Sequence, residues 1–370
     1  MTEPAPQLTP TEDPRAFLRA LLQLALTHKA SDLHLRARNH PILRLDGTLR
    51  AVRDVAPLTP DFLDQLARSL MSERQRVIFD QDHQVDLSVG FKDIGRVRAH
   101  IFRQRGVVNL VLRLIQSRIP TLAELKLPDL LKGLVKLERG LVVVTGATGS
   151  GKSTTLAALV EELNQNQAKH VLTIEDPIEF LFTERRALIT QREIGLDTNS
   201  FAEGLKAALR ADPDVILLGE MRDAETIEVA LGAAETGHLV LATAHAPAAA
   251  ETISRLLTVF PAEVQISIRA KLAQNLRAVV SQRLLPHPSG SGRVVACEVL
   301  TISARARELI LDPLKLKDLT DLIKKGSQDE GMLAFDQSLF DLVRKKEIDA
   351  ATALQYASSP TDLKLRLEGF

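Results

Sequence analysis

Hydrophobic residues along this chain repeat with two different periods, and the changes between them mark its organisation. Residues 2–14 hold four prolines and almost nothing to bury, which predicts a disordered leader over 1–14. Phe17, Leu18, Leu21, Leu22 and Ala25 then fall on one face of a helix starting near Arg15. Residues 31–36 alternate as a strand does. Residues 42–45 and 49–52 flank Asp46-Gly47, a pair that tolerates positive φ and so predicts a hairpin. At 58–63, Thr59 can cap a helix, Pro60 suits its first position, and Leu58 and Leu63 can staple its entry; the helix runs to about Leu70. Period two returns over 85–115.

Beyond residues 116–120 the pattern changes to buried strands separated by helices. The runs 141–144, 171–174, 215–218 and 239–242 are apolar on both faces, which argues a parallel sheet covered on both sides. After about Leu311 no further strand is evident and the text reads helical, with Leu309, Ile310, Leu319, Leu322, Ile323, Phe340, Leu342, Val343 and Ile348 in amphipathic settings. The predicted fold class is α/β. A mixed α/β domain over 15–116 leads through a linker at 117–120 to an α/β core over 121–310, and a helical region closes the chain over 311–370.

The first buried run leads into Gly146-Ala147-Thr148-Gly149-Ser150-Gly151-Lys152-Ser153-Thr154, a complete Gly-x-x-x-x-Gly-Lys-Ser loop. Its glycines let the backbone bend around phosphates and turn N–H groups inward, beside the positive end of the helix that Leu156, Leu159, Val160 and Leu163 predict. Lys152 would reach the β- and γ-phosphates, and the Ser153 hydroxyl would take one position on Mg²⁺.

Functional groups of such sheets gather at the carboxyl ends of the strands. Three ends supply them: Glu175-Asp176-Pro177-Ile178-Glu179, Gly219-Glu220-Met221-Arg222-Asp223, and Thr243-Ala244-His245. Glu175 and Glu220 are candidates for a pair in which one acid orients Mg²⁺ and the other positions or deprotonates the attacking water. The competing reading is that such acids cap the following helices, Asp176 best of them. His238 and His245 bracket one strand, so they point to opposite ends and faces and are unsuited to sharing a metal. His245 is placed to sense a γ-phosphate; a purely structural role competes. Arg96, Arg98, Arg103, Arg105, Arg113 and Arg118 read either as a solvated strand face or as carriers of positive charge to the nucleotide.

Composition changes this picture in three places. Lys+Arg and Asp+Glu both number 47, so the formal net charge is zero, and no nucleic-acid partner is expected from a global basic field. The single cysteine, Cys297, excludes an intramolecular disulfide and a four-cysteine zinc module. No apolar run approaches the roughly 18 residues of a membrane span, and no signal-peptide pattern opens the chain, which predicts a cytoplasmic protein.

The loop with its flanks, together with Thr173-Ile174-Glu175-Asp176-Pro177-Ile178-Glu179, Arg210-Ala211-Asp212-Pro213-Asp214, Gly219-Glu220-Met221-Arg222-Asp223 and Glu235-Thr236-Gly237-His238-Leu239-Val240, resembles the secretion ATPase superfamily. Within it the chain is similar to the twitching-motility ATPases of the PilT family, which retract type IV pili. Ser31-Asp32-Leu33-His34-Leu35 matches the start of that family's N-terminal domain. The resemblance implies a PAS-like domain before a RecA-like P-loop core. It places Lys152 and Ser153 in Walker A, Glu175 in the Asp box as catalytic glutamate, Glu220 in Walker B, and His238 and His245 in the His box. Arg98 and Arg113 would reach the nucleotide from the N-terminal domain. It further implies ATP and Mg²⁺ as cofactors, with Ser153 and Glu220 on the metal, a homohexamer, an inner-membrane platform protein of the PilC kind, pilins as indirect partners, and a place at the cytoplasmic face of the inner membrane.

Two departures stand out. The retraction branch's Ala-Ile-Arg-Asn-Leu-Ile is matched by Arg305-Ala306-Arg307-Glu308-Leu309-Ile310, and its Thr-Leu-His-Thr by Thr243-Ala244-His245-Ala246. They leave a second reading open, an accessory PilU-like retraction ATPase working with a paralogue. Pilus assembly and type II secretion ATPases are further alternatives, though they usually carry the zinc module that one cysteine cannot build. A nucleic-acid translocase is more remote.

Overall fold

The structure, a computed structural model, describes residues 13–45, 47–115, 118–289, 292–327 and 330–369. Most of the expected leader, Asp46 of the expected hairpin, and Gln116 and Ser117 of the expected linker lie outside the described residues. The chain divides into two units, Met1–Arg118 and Ile119–Phe370. No helix among the described residues is long and apolar enough to cross a membrane.

The first unit runs α1 (Pro14–Thr27), β1 (Asp32–Leu35), β2 (Ile42–Leu45), β3 (Thr48–Ala51), α2 (Pro60–Leu70), α3 (Glu73–Asp82), β4 (Gln84–Phe91), β5 (Gly95–Gln104) and β6 (Val107–Leu114). Its strands form one antiparallel sheet in the order β3-β2-β1-β6-β5-β4. The five apolar positions read from α1 are the ones it buries. Thr59 caps α2 by accepting from the Phe62 N–H at 3.2 Å, and Leu58 and Leu63 are both buried at its entry. The helix α3 was not legible from periodicity, because it buries only Phe79. Its signal is the capping box between Ser72 and Gln75.

The second unit begins with a 3₁₀ segment (Asp129–Lys136) and runs β7 (Gly140–Thr145), α4 (Lys152–Asn166), β8 (His170–Glu175), β9 (Leu188–Glu193), α5 (Phe201–Ala208), β10 (Val215–Leu218), α6 (Ala224–Glu235), β11 (Leu239–Ala244), α7 (Ala249–Thr258), α8 (Ala262–Asn275), β12 (Leu276–Pro286), β13 (Arg293–Thr301), α9 (Ala304–Leu311), α10 (Asp318–Lys325), α11 (Phe335–Arg344), α12 (Ala350–Tyr356) and α13 (Pro360–Glu368). The sheet order is β13-β12-β7-β11-β10-β8-β9. The four strands read from the sequence are parallel, as expected. Three more join them: β9 and β12 in parallel, and β13 antiparallel at the edge.

Alternate residues of β7 face opposite cores. Leu141 and Val143 pack with α6, α7 and α8, whereas Val142 and Val144 pack with α4 and the 3₁₀ segment. Coverage on both faces explains why these strands carry no polar alternation. The helices α11 to α13 form a smaller core with Leu285, Val294 and Ala296 of the β12–β13 pair.

Candidate active site

The phosphate loop leaves the end of β7 and enters α4 without a side-chain cap at Gly151, so the first N–H groups of α4 stay available to a ligand. Gly151 takes φ +91°, a conformation that L side chains rarely adopt. Gly146 is still more constrained: at φ +147°, a Cβ there would lie 2.5 Å from the Gln282 carbonyl oxygen and from Ser150 Oγ. Lys152 is buried, and its Nζ donates to the Gly146 and Ala147 carbonyls, both at 3.0 Å. Burial lowers its proton affinity, and the carboxylates of Glu220 and Glu179 oppose that.

One cleft of about 260 Å³ brings the loop together with the strand ends; Thr148, Lys152, Ser153, Glu175, Glu220 and His245 all line it. Glu175, the last residue of β8, accepts from Thr173 Oγ1 at 2.7 Å and Gln191 Nε2 at 3.2 Å. Burial pushes its carboxyl above the usual range, against those two hydrogen bonds. Glu220 follows β10 and is held differently: it pairs with Arg222 and lies 3.0 Å from His245 Nε2. Ser153 Oγ donates to Glu179 Oε1 at 3.1 Å. The cleft thus presents an anion cradle, a carboxyl with raised proton affinity and a second acid tied to a histidine.

Helix capping does not account for these acids. No helix follows Asp176, because residues 176–187 are irregular, and α6 is capped by Asp223, whose Oδ1 accepts from the Thr226 N–H at 2.8 Å. The expectation that Asp176 caps a helix is therefore corrected. A loop is needed there to carry Glu179 and three aromatic or apolar side chains back to the phosphate loop.

Among the described residues no group of three or more histidine, cysteine, aspartate or glutamate side chains is arranged to hold a metal. Ser153 and Glu220 offer hard oxygen donors in the same cleft, a set that suits a cation completing its shell with phosphate oxygens and water. His238 is not brought to the cleft: it stands at the opposite end of β11, with Nδ1 3.0 Å from the Ala233 carbonyl.

Arg98 and Arg113 belong to the first unit, where they face each other directly across β5 and β6. Arg113 Nε donates to Asp32 Oδ1 at 2.8 Å, and Arg44 lies 3.7 Å from the other oxygen. Burial raises the Asp32 carboxyl, but the hydrogen bonds from Arg113 and Ser31 outweigh it and hold the group below its ordinary value. Arg44, Asp32, Arg113 and Arg98 are thus one cross-strand row.

Sequence reasoning passed over the residues that brace the acidic loop. Gln191 bonds Glu175, donates to the Phe180 carbonyl at 2.9 Å and accepts from the Phe182 N–H, and Glu193 accepts from the Ile178 N–H at 3.2 Å. Both lie on β9, an edge strand too polar to show an apolar alternation.

The family described as type II/IV secretion system protein matches residues 12–308. The chain belongs to that family. With membership comes the enzyme class: it is a P-loop ATPase, a protein that binds nucleotide. Two curated relatives from Pseudomonas aeruginosa are each 42% identical. The type IV pilus ATPase PilU matches over 348 residues, 94% of this chain and 90% of that protein. The type IV pilus retraction ATPase PilT matches over 340 residues, 92% and 98%. Among solved structures, the pilus retraction motor PilT with bound ADP superposes with a TM-score of 0.86 at 42% identity, covering 93% of this chain and 98% of that one.

Proposed function

We propose that this chain hydrolyses ATP as a motor of type IV pilus retraction. The observation that carries the reading is the meeting, in one cleft, of the phosphate loop with two acids in different states, Glu175 with its proton affinity raised and Glu220 paired, in a chain that matches a retraction motor over nearly its whole length. Residues 146–154 cradle the phosphates, and Lys152 exchanges its two loop carbonyls for phosphate oxygens. Ser153 and Glu220 would hold Mg²⁺, which would supply neutralisation of charge on the transferring group. Glu175 takes the proton of the attacking water, a task suited to a carboxylate whose proton affinity is raised. His245 senses the γ-phosphate through Glu220, His238 steadies the far end of β11, and Arg98 and Arg113 supply positive charge from the N-terminal unit. The reading includes a homohexamer at the cytoplasmic face of the inner membrane, acting on a platform protein of the PilC kind and through it on pilins.

A second reading, an accessory PilU-like ATPase, is favoured by the equally broad match to PilU and by Ala244 and Ala246, small buried residues flanking His245. Either reading requires Mg²⁺-dependent ATP hydrolysis by the purified chain, abolished by Lys152→Ala. An inactive wild type, or activity that survives Lys152→Ala, refutes both.

A further inference from the structure

Behind the phosphate loop stands a buried amide to which none of the roles above refers. Gln282, on β12, is 1% exposed, and its Nε2 donates to Thr155 Oγ1 at 2.8 Å. Thr155 is itself buried in the first turn of α4, three residues beyond Lys152. The Gln282 carbonyl oxygen is the atom that a Cβ at Gly146 would strike, so the loop is packed directly on this residue. Among the described residues, Gln282 Oε1 and Ser150 Oγ are buried without a hydrogen-bond partner. A buried polar group left unmatched is costly, and an apolar side chain would avoid that cost.

The strand holds this amide rigidly. β12 lies beside β7, with Ser281 opposite Thr145. Ser281 Oγ donates to the Pro247 carbonyl at 3.0 Å, two residues past His245. On the other side the Arg283 guanidinium lies over the Phe335 ring, 4.0 Å from its centre, and donates to the Tyr356 carbonyl at 3.3 Å. Both neighbours of Gln282 on the strand are thus tied to other elements.

We propose that Gln282 is a positioning residue for the hydrolysis. Through Thr155 it fixes the rotation of the first turn of α4, and so the directions of Lys152 and Ser153, while its backbone sets how closely the loop approaches at Gly146. The inference rests on the reading of the cleft as an ATP-hydrolysing site, and the two fail separately: if wild type shows no turnover dependent on Lys152, that reading falls before Gln282 is tested.

The test is steady-state kinetics on the full chain, with melting measured without nucleotide. Gln282→Leu, which removes the unmatched oxygen, is expected to lower kcat/KM roughly ten- to hundredfold by misplacing the loop's side chains, with no fall in melting temperature. Thr155→Val should reproduce that loss, and Thr155→Ser, which keeps the hydroxyl, should restore most of it. The double variant Gln282→Leu/Thr155→Val should be no worse than Gln282→Leu alone, since that substitution already removes the bond to Thr155 together with the one to the Cys297 thiol. Should Gln282→Leu not fold, Gln282→Asn keeps the amide but not its reach and is expected to show the same kinetic loss. Unchanged kcat/KM, losses that multiply in the double variant, or losses matched by falling melting temperature overturn the proposal.

Discussion

Glu175 and Glu220 end neighbouring parallel strands, yet their surroundings prepare them for different work. Burial raises the proton affinity of Glu175 against the hydrogen bonds it accepts, whereas Glu220 is paired with Arg222 and His245. For a carboxyl whose folded value is raised, the ionised form is penalised in the fold. The penalty is absent below the ordinary carboxyl range, near 4.3 for glutamate, and complete above the raised value. Nucleotide-free wild type should therefore lose stability as pH climbs through that window, and Glu175→Gln should lose less, the remainder including the likewise raised Glu298. The same variant should lower kcat roughly 10²- to 10⁴-fold. Denaturation curves at several pH values, with turnover at one, check both; parallel pH dependence of the two proteins would contradict the assignment. Cys297 has no comparable part to play, since burial pushes its thiol up to about 12.

At the scale of elements, what was legible followed from burial pattern. Strands apolar on both faces announced the centre of the sheet, and Thr59-Pro60 announced a helix start. The rim was not legible for physical reasons. β9 is half-buried and polar, α3 buries one side chain, and β12 and β13 hold Gln282, Arg283 and Glu298 for contacts with distant elements. Glu298, for instance, accepts from the Ala249 N–H at the uncapped start of α7, a cap 49 positions away along the chain. The phosphate loop and the three acid-bearing strand ends were readable because their chemistry is local. The braces from Gln191 and Glu193 were not, because they depend on which strand lies alongside.

The row of Arg44, Asp32, Arg113 and Arg98 is an element-scale feature with its own consequence. Two guanidinium groups directly opposite on adjacent strands repel, and Asp32 neutralises only one of them well. If the pair serves the transition state, Arg98→Ala should lower kcat by more than it weakens ATP binding, as titration of an ATP analogue alongside turnover would measure. Equal losses in both would assign the pair to positioning or folding instead.

For the whole molecule, each unit has its own core, and the cleft at the phosphate loop is lined by the second. The proposed coupling of this cleft to pilus retraction is measured most directly in a strain with type IV pili whose native copy of this gene is replaced by the Glu175→Gln variant. Surface pili are counted and twitching motility is scored. Abundant pili without movement are expected, because assembly continues while retraction stops. Absent pili, or motility equal to wild type, would contradict it.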